Sequence, residues 1–226
     1  MSPPDADGTF VAGLGAHIDS SGTRVSFRVA SRRATRVELW IYDHPFGAEP
    51  VSRHVLDPER TIDNEVFSLV LARAELPSVI YYGYRAFGPN WDYDPAWTPG
   101  SLAGFVADVD RAGNRFNPNK LLCDPHAREL SHDPIHLGYT DDTVYLTGPV
   151  ERARDSGPFA PKGIVLPDPP VVAATDKPLR AFADDIVYEV HVRGLTRNDA
   201  NDACRGTYRA AGERAAALRA LGVTAV

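Results

Sequence analysis

Two seven-residue segments near the start of this chain alternate apolar and polar side chains strictly, which limits what they can become. In residues 24–30 (Arg-Val-Ser-Phe-Arg-Val-Ala), Val25, Phe27 and Val29 fall on one face; in 36–42 (Arg-Val-Glu-Leu-Trp-Ile-Tyr), Val37, Leu39 and Ile41 do the same. A period of two belongs to a half-buried strand, because successive side chains of an extended backbone point to opposite faces. Further strands are expected at 52–56, 65–71 and 79–87, with turn-rich pieces such as His44-Pro45-Phe46-Gly47 and Asp57-Pro58 between them. Short strands at this spacing predict a β-sandwich of about a hundred residues.

Beyond residue 88 the pattern changes. Pieces such as 89–95 (Pro-Asn-Trp-Asp-Tyr-Asp-Pro) and 166–170 (Leu-Pro-Asp-Pro-Pro) carry no sustained period as far as about residue 183. So long an irregular stretch is unusual inside a compact domain, yet its aromatics oppose disorder. Regular patterning returns at residues 185–193 (Asp-Ile-Val-Tyr-Glu-Val-His-Val-Arg), which read as a strand. Residues 206–221 have helical spacing, with Ala211, Ala215 and Leu218 on one stripe and Gly222 at the left-handed cap. Residues 223–226 begin another strand, so the series is the opening βαβ unit of a parallel α/β fold. A (β/α)8 barrel needs about 250 residues. The 43 residues from 184 to 226 are therefore expected to be the truncated start of one. The chain divides into a tail (1–12), a sandwich (13–100), an extended linker packing on both neighbours (101–183) and the barrel start (184–226).

Composition narrows the partners. With 43% hydrophobic residues the chain of 226 can bury a core. Lys+Arg 24 against Asp+Glu 30, a net charge of −6, disfavours nucleic acid and anionic membranes. Two cysteines, Cys123 and Cys204, make no disulfide framework, and the first residues lack the basic and apolar runs of a signal peptide. A cytoplasmic location is expected.

Several motifs follow one another in the order of a known family. Residues 13–17 (Gly-Leu-Gly-Ala-His) resemble the start of the N-terminal sandwich of isoamylase-type glycogen-debranching enzymes, and 82–85 (Tyr-Gly-Tyr-Arg) its last strand. Residues 114–122 (Asn-Arg-Phe-Asn-Pro-Asn-Lys-Leu-Leu), with Asp124-Pro125 and Ala127-Arg128, are similar to the segment that follows. Ala160-Pro161-Lys162 is similar to the next landmark. Residues 188–196 look like the first barrel strand, while Gly206-Thr207-Tyr208 and Leu221–Thr224 resemble the first helix and second strand. The resemblance implies an immunoglobulin-like sandwich of the family-48 carbohydrate-binding type, joined to an α-amylase-family barrel. It also implies hydrolysis of α-1,6 branch points in glycogen or limit dextrin, without a cofactor. Such chemistry needs two carboxyls about 5 Å apart. In the family these lie on later barrel strands, so no residue here is assigned a catalytic role and the chain alone is expected to be inert.

The remaining candidates have structural as well as functional readings. Asp184, Asp185, Glu189 and His191 are read as structural residues around the 185–193 strand. His17 and His44 lack ligand spacing, and Asp108, Asp110, Gly113 and Asn114 fit a solvated turn better than a calcium loop, so no metal is expected. Sugar binding is the one activity the sandwich itself could carry, through aromatic faces that stack on glucose rings. Trp91, preceded by Gly88 and followed by Asp94-Pro95, resembles a stacking tryptophan of the module, with interdomain packing as its other role. Phe46 stands where relatives carry a second tryptophan. Trp40, on the polar face of its strand, is expected to pack under the long irregular segment. The alternatives to the hydrolase are a non-catalytic glycogen-binding module and an immunoglobulin-like interaction domain. The latter lacks the Cys…Trp…Cys pattern.

Overall fold

A computed structural model describes residues 13–47, 49–60, 65–134, 141–168, 180–199 and 203–226. The expected tail (1–12) and parts of the irregular stretch (135–140 and 169–179) lie outside the described residues. Two compact units are present, Met1–Pro170 and Val171–Val226.

The first unit is built from strands β1 (Gly15–Ile18), β2 (Arg24–Ala30), β3 (Arg36–Tyr42), β4 (Ser52–Val55), β5 (Asp57–Arg60), β6 (Glu65–Ala72), β7 (Tyr81–Phe87) and β8 (Gly163–Ile164). They form two four-stranded antiparallel sheets, in the orders β1-β2-β6-β5 and β4-β3-β7-β8. The alternation explains the main core. Val25, Phe27, Phe67 and Leu71 of the first sheet join Val37, Leu39, Ile41, Tyr82, Tyr84 and Ala86 of the second in one buried cluster. Phe27 and Tyr82 meet edge to face at 5.2 Å across the two sheets.

Asp57-Pro58, expected to separate strands, instead lies inside β5. Proline cannot donate to a ladder, but β5 is the sheet edge and pairs only with β6, so one side of its backbone needs no partner. The β1–β2 turn is held by Asp19, whose Oδ1 accepts the N–H groups of Thr23 (2.8 Å) and Arg24 (3.1 Å). Its Oδ2 accepts Ser21 Oγ (2.9 Å) and Arg24 Nε (3.2 Å). Burial alone would raise this carboxyl's pKa, but the donors outweigh it and bring it down to about 2. Replacing Asp19 with alanine is expected to cost about 2 kcal/mol near neutral pH, the usual scale for hydrogen bonds to a charged group. A depressed carboxyl stabilises above its ordinary value of 3.8 and loses that contribution as pH falls toward about 2. Chemical unfolding of both proteins across this range should show their difference shrinking on acidification; a constant difference would refute the ionic origin.

The described residues between 88 and 168 are largely irregular, as expected, yet packed. They cover the outer face of the second sheet, tied to it by β8 and by a bridge between Tyr84 and Leu122. Trp40, Tyr42 and Phe87 of β3 and β7 therefore join Trp91, Trp97, Leu121 and Ala160 in a second buried cluster. Trp40 packs under the irregular segment, 6.3 Å from Trp97 in an edge-to-face contact. β3 is consequently buried on both faces.

The second unit departs from the expected βαβ series. The strand expected at 185–193 reduces to a parallel bridge between Val187 and Ala225, beside hydrogen bonds from Tyr188 N to Ala225 O and Thr224 N to Ile186 O. Val192–Thr196 forms a short helix α1 instead. A strand takes its stability from its ladder and covered faces, and Ile186 and Val187 are both more than half exposed. The expected single helix is two, α2 (Tyr208–Glu213) and α3 (Ala215–Ala220), separated at Arg214. Gly212, a poor helix former, precedes the break. The break rotates the expected stripe out of phase, so that Ala210 is buried while Ala215 is exposed. Gly222 does take the left-handed cap, with φ 90°.

Candidate functional site

The second cluster is assembled by a tight turn after β7. Gly88 and Trp91 exchange backbone hydrogen bonds at 3.1 and 2.8 Å, which throws Pro89-Asn90 into a two-residue loop. Asn90 is fully buried and clamps the layer from both ends of its amide. Its Nδ2 donates to Ala107 O (3.0 Å) and Phe116 O (2.9 Å), while its Oδ1 accepts Phe116 N–H (2.8 Å). The Trp91 ring, 1% exposed, lies 5.0 Å from Phe105 and its Nε1 donates to Ala103 O at 2.8 Å. Phe46 sits elsewhere, half-buried in the turn after β3, edge-on to His132 (5.2 Å) and Phe159 (6.0 Å).

Three cations pin this layer. Arg85 on β7 is 0% exposed, stacks 4.0 Å above Trp40, and donates to Pro118 O (2.6 Å) and Asp155 Oδ1 (2.7 Å). Lys120 Nζ donates to the carbonyls of Val144 (2.7 Å), Glu151 (2.9 Å) and Arg154 (2.8 Å). Lys162 Nζ donates to Pro45 (2.9 Å), Gly157 (3.0 Å) and Ala160 (3.1 Å), so it fastens the Phe46 turn to the irregular layer. Burial lowers both ammonium groups to pKa values of about 8. On the core side of the sheet, Asp124 accepts the hydroxyl of Tyr82 at 2.8 Å. Burial pushes the Tyr82 and Tyr84 hydroxyls well above their ordinary value, with the Asp124 charge adding to it. Arg85, Lys120, Asp124 and Lys162 all fall inside motifs that carried the family resemblance. That location was the only sequence signal for their roles.

The carboxylates are likewise engaged structurally. Asp108 pairs with Arg152 at 2.6 Å, while Asp110 accepts the N–H groups of Ala112 and Asn114 and the Asn114 amide. Asp185 accepts Arg180 Nε (3.1 Å) and Thr224 Oγ1 (3.0 Å). Asp184 and Glu189 are exposed, and His191, rather than facing along a strand, caps α1 by accepting Gly194 N–H at 3.2 Å. His17 meets Asp168 at 3.1 Å, and His44 meets its neighbour Asp43. Among the described residues no group of three His, Cys, Asp or Glu is placed to hold a metal, and no helix is long and apolar enough to cross a membrane. Among the described residues neither Cys123 nor Cys204 forms a disulfide, and Cys123 donates to Pro161 O.

This β-rich body has the fold of part of the pullulanase-type enzymes. It is similar to a Group B Streptococcus pullulanase solved with maltotetraose, with TM-score 0.57 and 19% identity over 95% of this chain and 23% of that one. The catalytic module of a glycogen-degrading pneumococcal virulence factor gives 0.54 and 20%, over 95% and 26%. Sequence is more specific: the chain is a homologue of isoamylases and glycogen debranching enzymes along 94% of its length. It is 52% identical to an isoamylase of Flavobacterium sp, 45% to one of Pseudomonas amyloderamosa, and 36% to a glycogen debranching enzyme of Cronobacter sakazakii. The chain spans 28% of the length of each of these relatives. No family model matches it.

Proposed function

We propose that this chain is the N-terminal portion of a glycogen-debranching enzyme that hydrolyses α-1,6-glucosidic branch linkages in glycogen or limit dextrin. The observation that carries this reading is 52% identity to an isoamylase along 94% of the chain. On it, the two sheets are an immunoglobulin-like, carbohydrate-binding-type sandwich, residues 101–183 pack on both neighbours, and 184–226 open the catalytic (β/α)8 barrel. The enzyme works in the cytoplasm on a neutral glucan rather than on nucleic acid or membrane, in keeping with the net charge of −6 and two cysteines outside any disulfide. Retaining hydrolysis needs a nucleophilic carboxylate and an acid/base carboxyl about 5 Å apart. The family resemblance puts that pair on later barrel strands; the carboxylates of Asp19, Asp108, Asp110, Asp155 and Asp185 here are engaged in structural bonds. The full-length gene product should release linear chains from glycogen, seen as a shifted iodine spectrum, and this chain should release none. Failure of the full-length protein to debranch would overturn the assignment.

A second activity, glucan binding by the sandwich, is favoured by Phe46. Its ring is half-buried on a turn held rigid by Lys162, whereas Trp91 serves as a wall of the second core. Affinity electrophoresis in glycogen gels is expected to retard this chain, with Phe46→Ala weakening binding about fivefold, the equivalent of about 1 kcal/mol of aromatic contact. Equal migration with and without glycogen would rule this activity out.

A further inference from the structure

One cleft in the first unit has no part in the readings above. It is an open cleft of about 610 Å³ between the β2–β3 turn, residues 113–117 and residues 145–147. That volume lies in the ordinary range for small-ligand sites. Its lining includes Arg32, Arg33, Arg115, Phe116, Leu122 and Thr147, and no aspartate or glutamate. Three guanidinium groups around one cleft, in a chain of net charge −6, concentrate positive potential against the overall balance.

The arginines differ in how they are held. Arg33 Nη1 donates to Ala112 O (2.7 Å) and Asn114 Oδ1 (3.1 Å), which fixes its fork in place. Asp110 accepts the N–H groups of Ala112 and Asn114 and the Asn114 amide, and its charge offsets part of the Arg33 charge, so Arg32 and Arg115 carry the excess. Arg115 is exposed and makes no hydrogen bond or ion pair among the described residues. Beneath them, Lys120 adds a fourth positive charge, tied to its three carbonyls. The floor is apolar, from Ala86, Phe116 and Leu122. One anchored guanidinium, the exposed Arg115 beside it, and an apolar floor suit an anion with several acceptor oxygens and a body attached.

We propose that this cleft binds a phosphate group, either free or as the monoester of a sugar. Isothermal titration of the 226-residue chain with glucose 1-phosphate, inorganic phosphate and maltose tests it. Both phosphates are expected to bind at millimolar concentrations or below, and more weakly as salt rises. Arg115→Ala is expected to reduce their affinity about tenfold, the scale of one charge-assisted contact. Any retention of maltooligosaccharide by the sandwich should be unchanged in that variant, which separates this site from the glucan-binding reading. Tighter binding of glucose 1-phosphate than of phosphate would make the sugar ester the ligand; equal binding would make it the free anion. Chemical-shift mapping on the unaltered chain should place the response at Arg115, Phe116 and Thr147. Absence of phosphate binding, undiminished affinity in both Arg115→Ala and Arg32→Ala, or shifts confined elsewhere would each overturn the proposal.

Discussion

Replacing Arg85 with alanine is expected to destabilise the first unit by about 3–5 kcal/mol, the range found when one partner of a buried ion pair is removed. The guanidinium is fully enclosed between the second sheet and the irregular layer, where it satisfies Asp155 and Pro118 O and lies flat on Trp40. Truncation removes all three contacts at once and leaves a cavity beside two tryptophans. Lysine is expected to recover little, because a single ammonium cannot reach both acceptors in the planar geometry that also stacks on the ring. The double replacement Arg85→Met with Asp155→Leu should recover more than Arg85→Met alone, since no charge is then left without its partner. Denaturant midpoints of these variants measure the series. A loss below about 1 kcal/mol for Arg85→Ala would mean that the pair behaves like a surface salt bridge.

Gly104→Ala is expected to cost about 3 kcal/mol, for two independent reasons that add. Its φ of 76° is left-handed, where a β-carbon is strained. An added β-carbon would also meet the carbonyl oxygen of Asp92, a backbone atom with no side-chain freedom to yield. The position matters beyond itself. Gly104 O accepts Asp92 N–H, and the adjacent Ala103 O accepts the Trp91 indole, so relief of the clash must shift the wall of the second core. Near-ultraviolet dichroism should therefore change together with the unfolding midpoint. A stable variant with an unchanged aromatic spectrum would show that the turn has room the structure does not give it.

The two sheets were legible where alternation could speak. Val25, Phe27, Val37, Leu39 and Ile41 marked the inner faces of β2 and β3 before any coordinates, because the pleat forces every second side chain inward. What alternation could not express was a second burial on the opposite face. Glu38 and Tyr42 read as an outer face, with cover expected only over Trp40 between them, yet all three are buried. A period-two pattern describes one interface at a time, and the second is made by Trp91, Trp97, Leu121 and Ala160, far along the chain from β3. In the second unit Ile186–Val190 has strand composition, and among the described residues its pairing is the Val187–Ala225 bridge. Trp91 was recognisable as important from its setting between Gly88 and Asp94-Pro95. Its enclosure followed from Asn90 and Ala103, whose bonds no local pattern announces. Lys120 and Lys162 were the least visible, since a lysine that caps three carbonyls looks in sequence like any solvated lysine.

Because β3 and β7 serve two cores, the two-sheet body has no clean seam after β7. Severing the polypeptide near residue 100 would take Leu121 and Ala160 from the second core and leave Arg85 without Asp155. A graft meant to carry this module into another protein would have to run to about residue 168, taking its irregular wrapping along as part of the cargo.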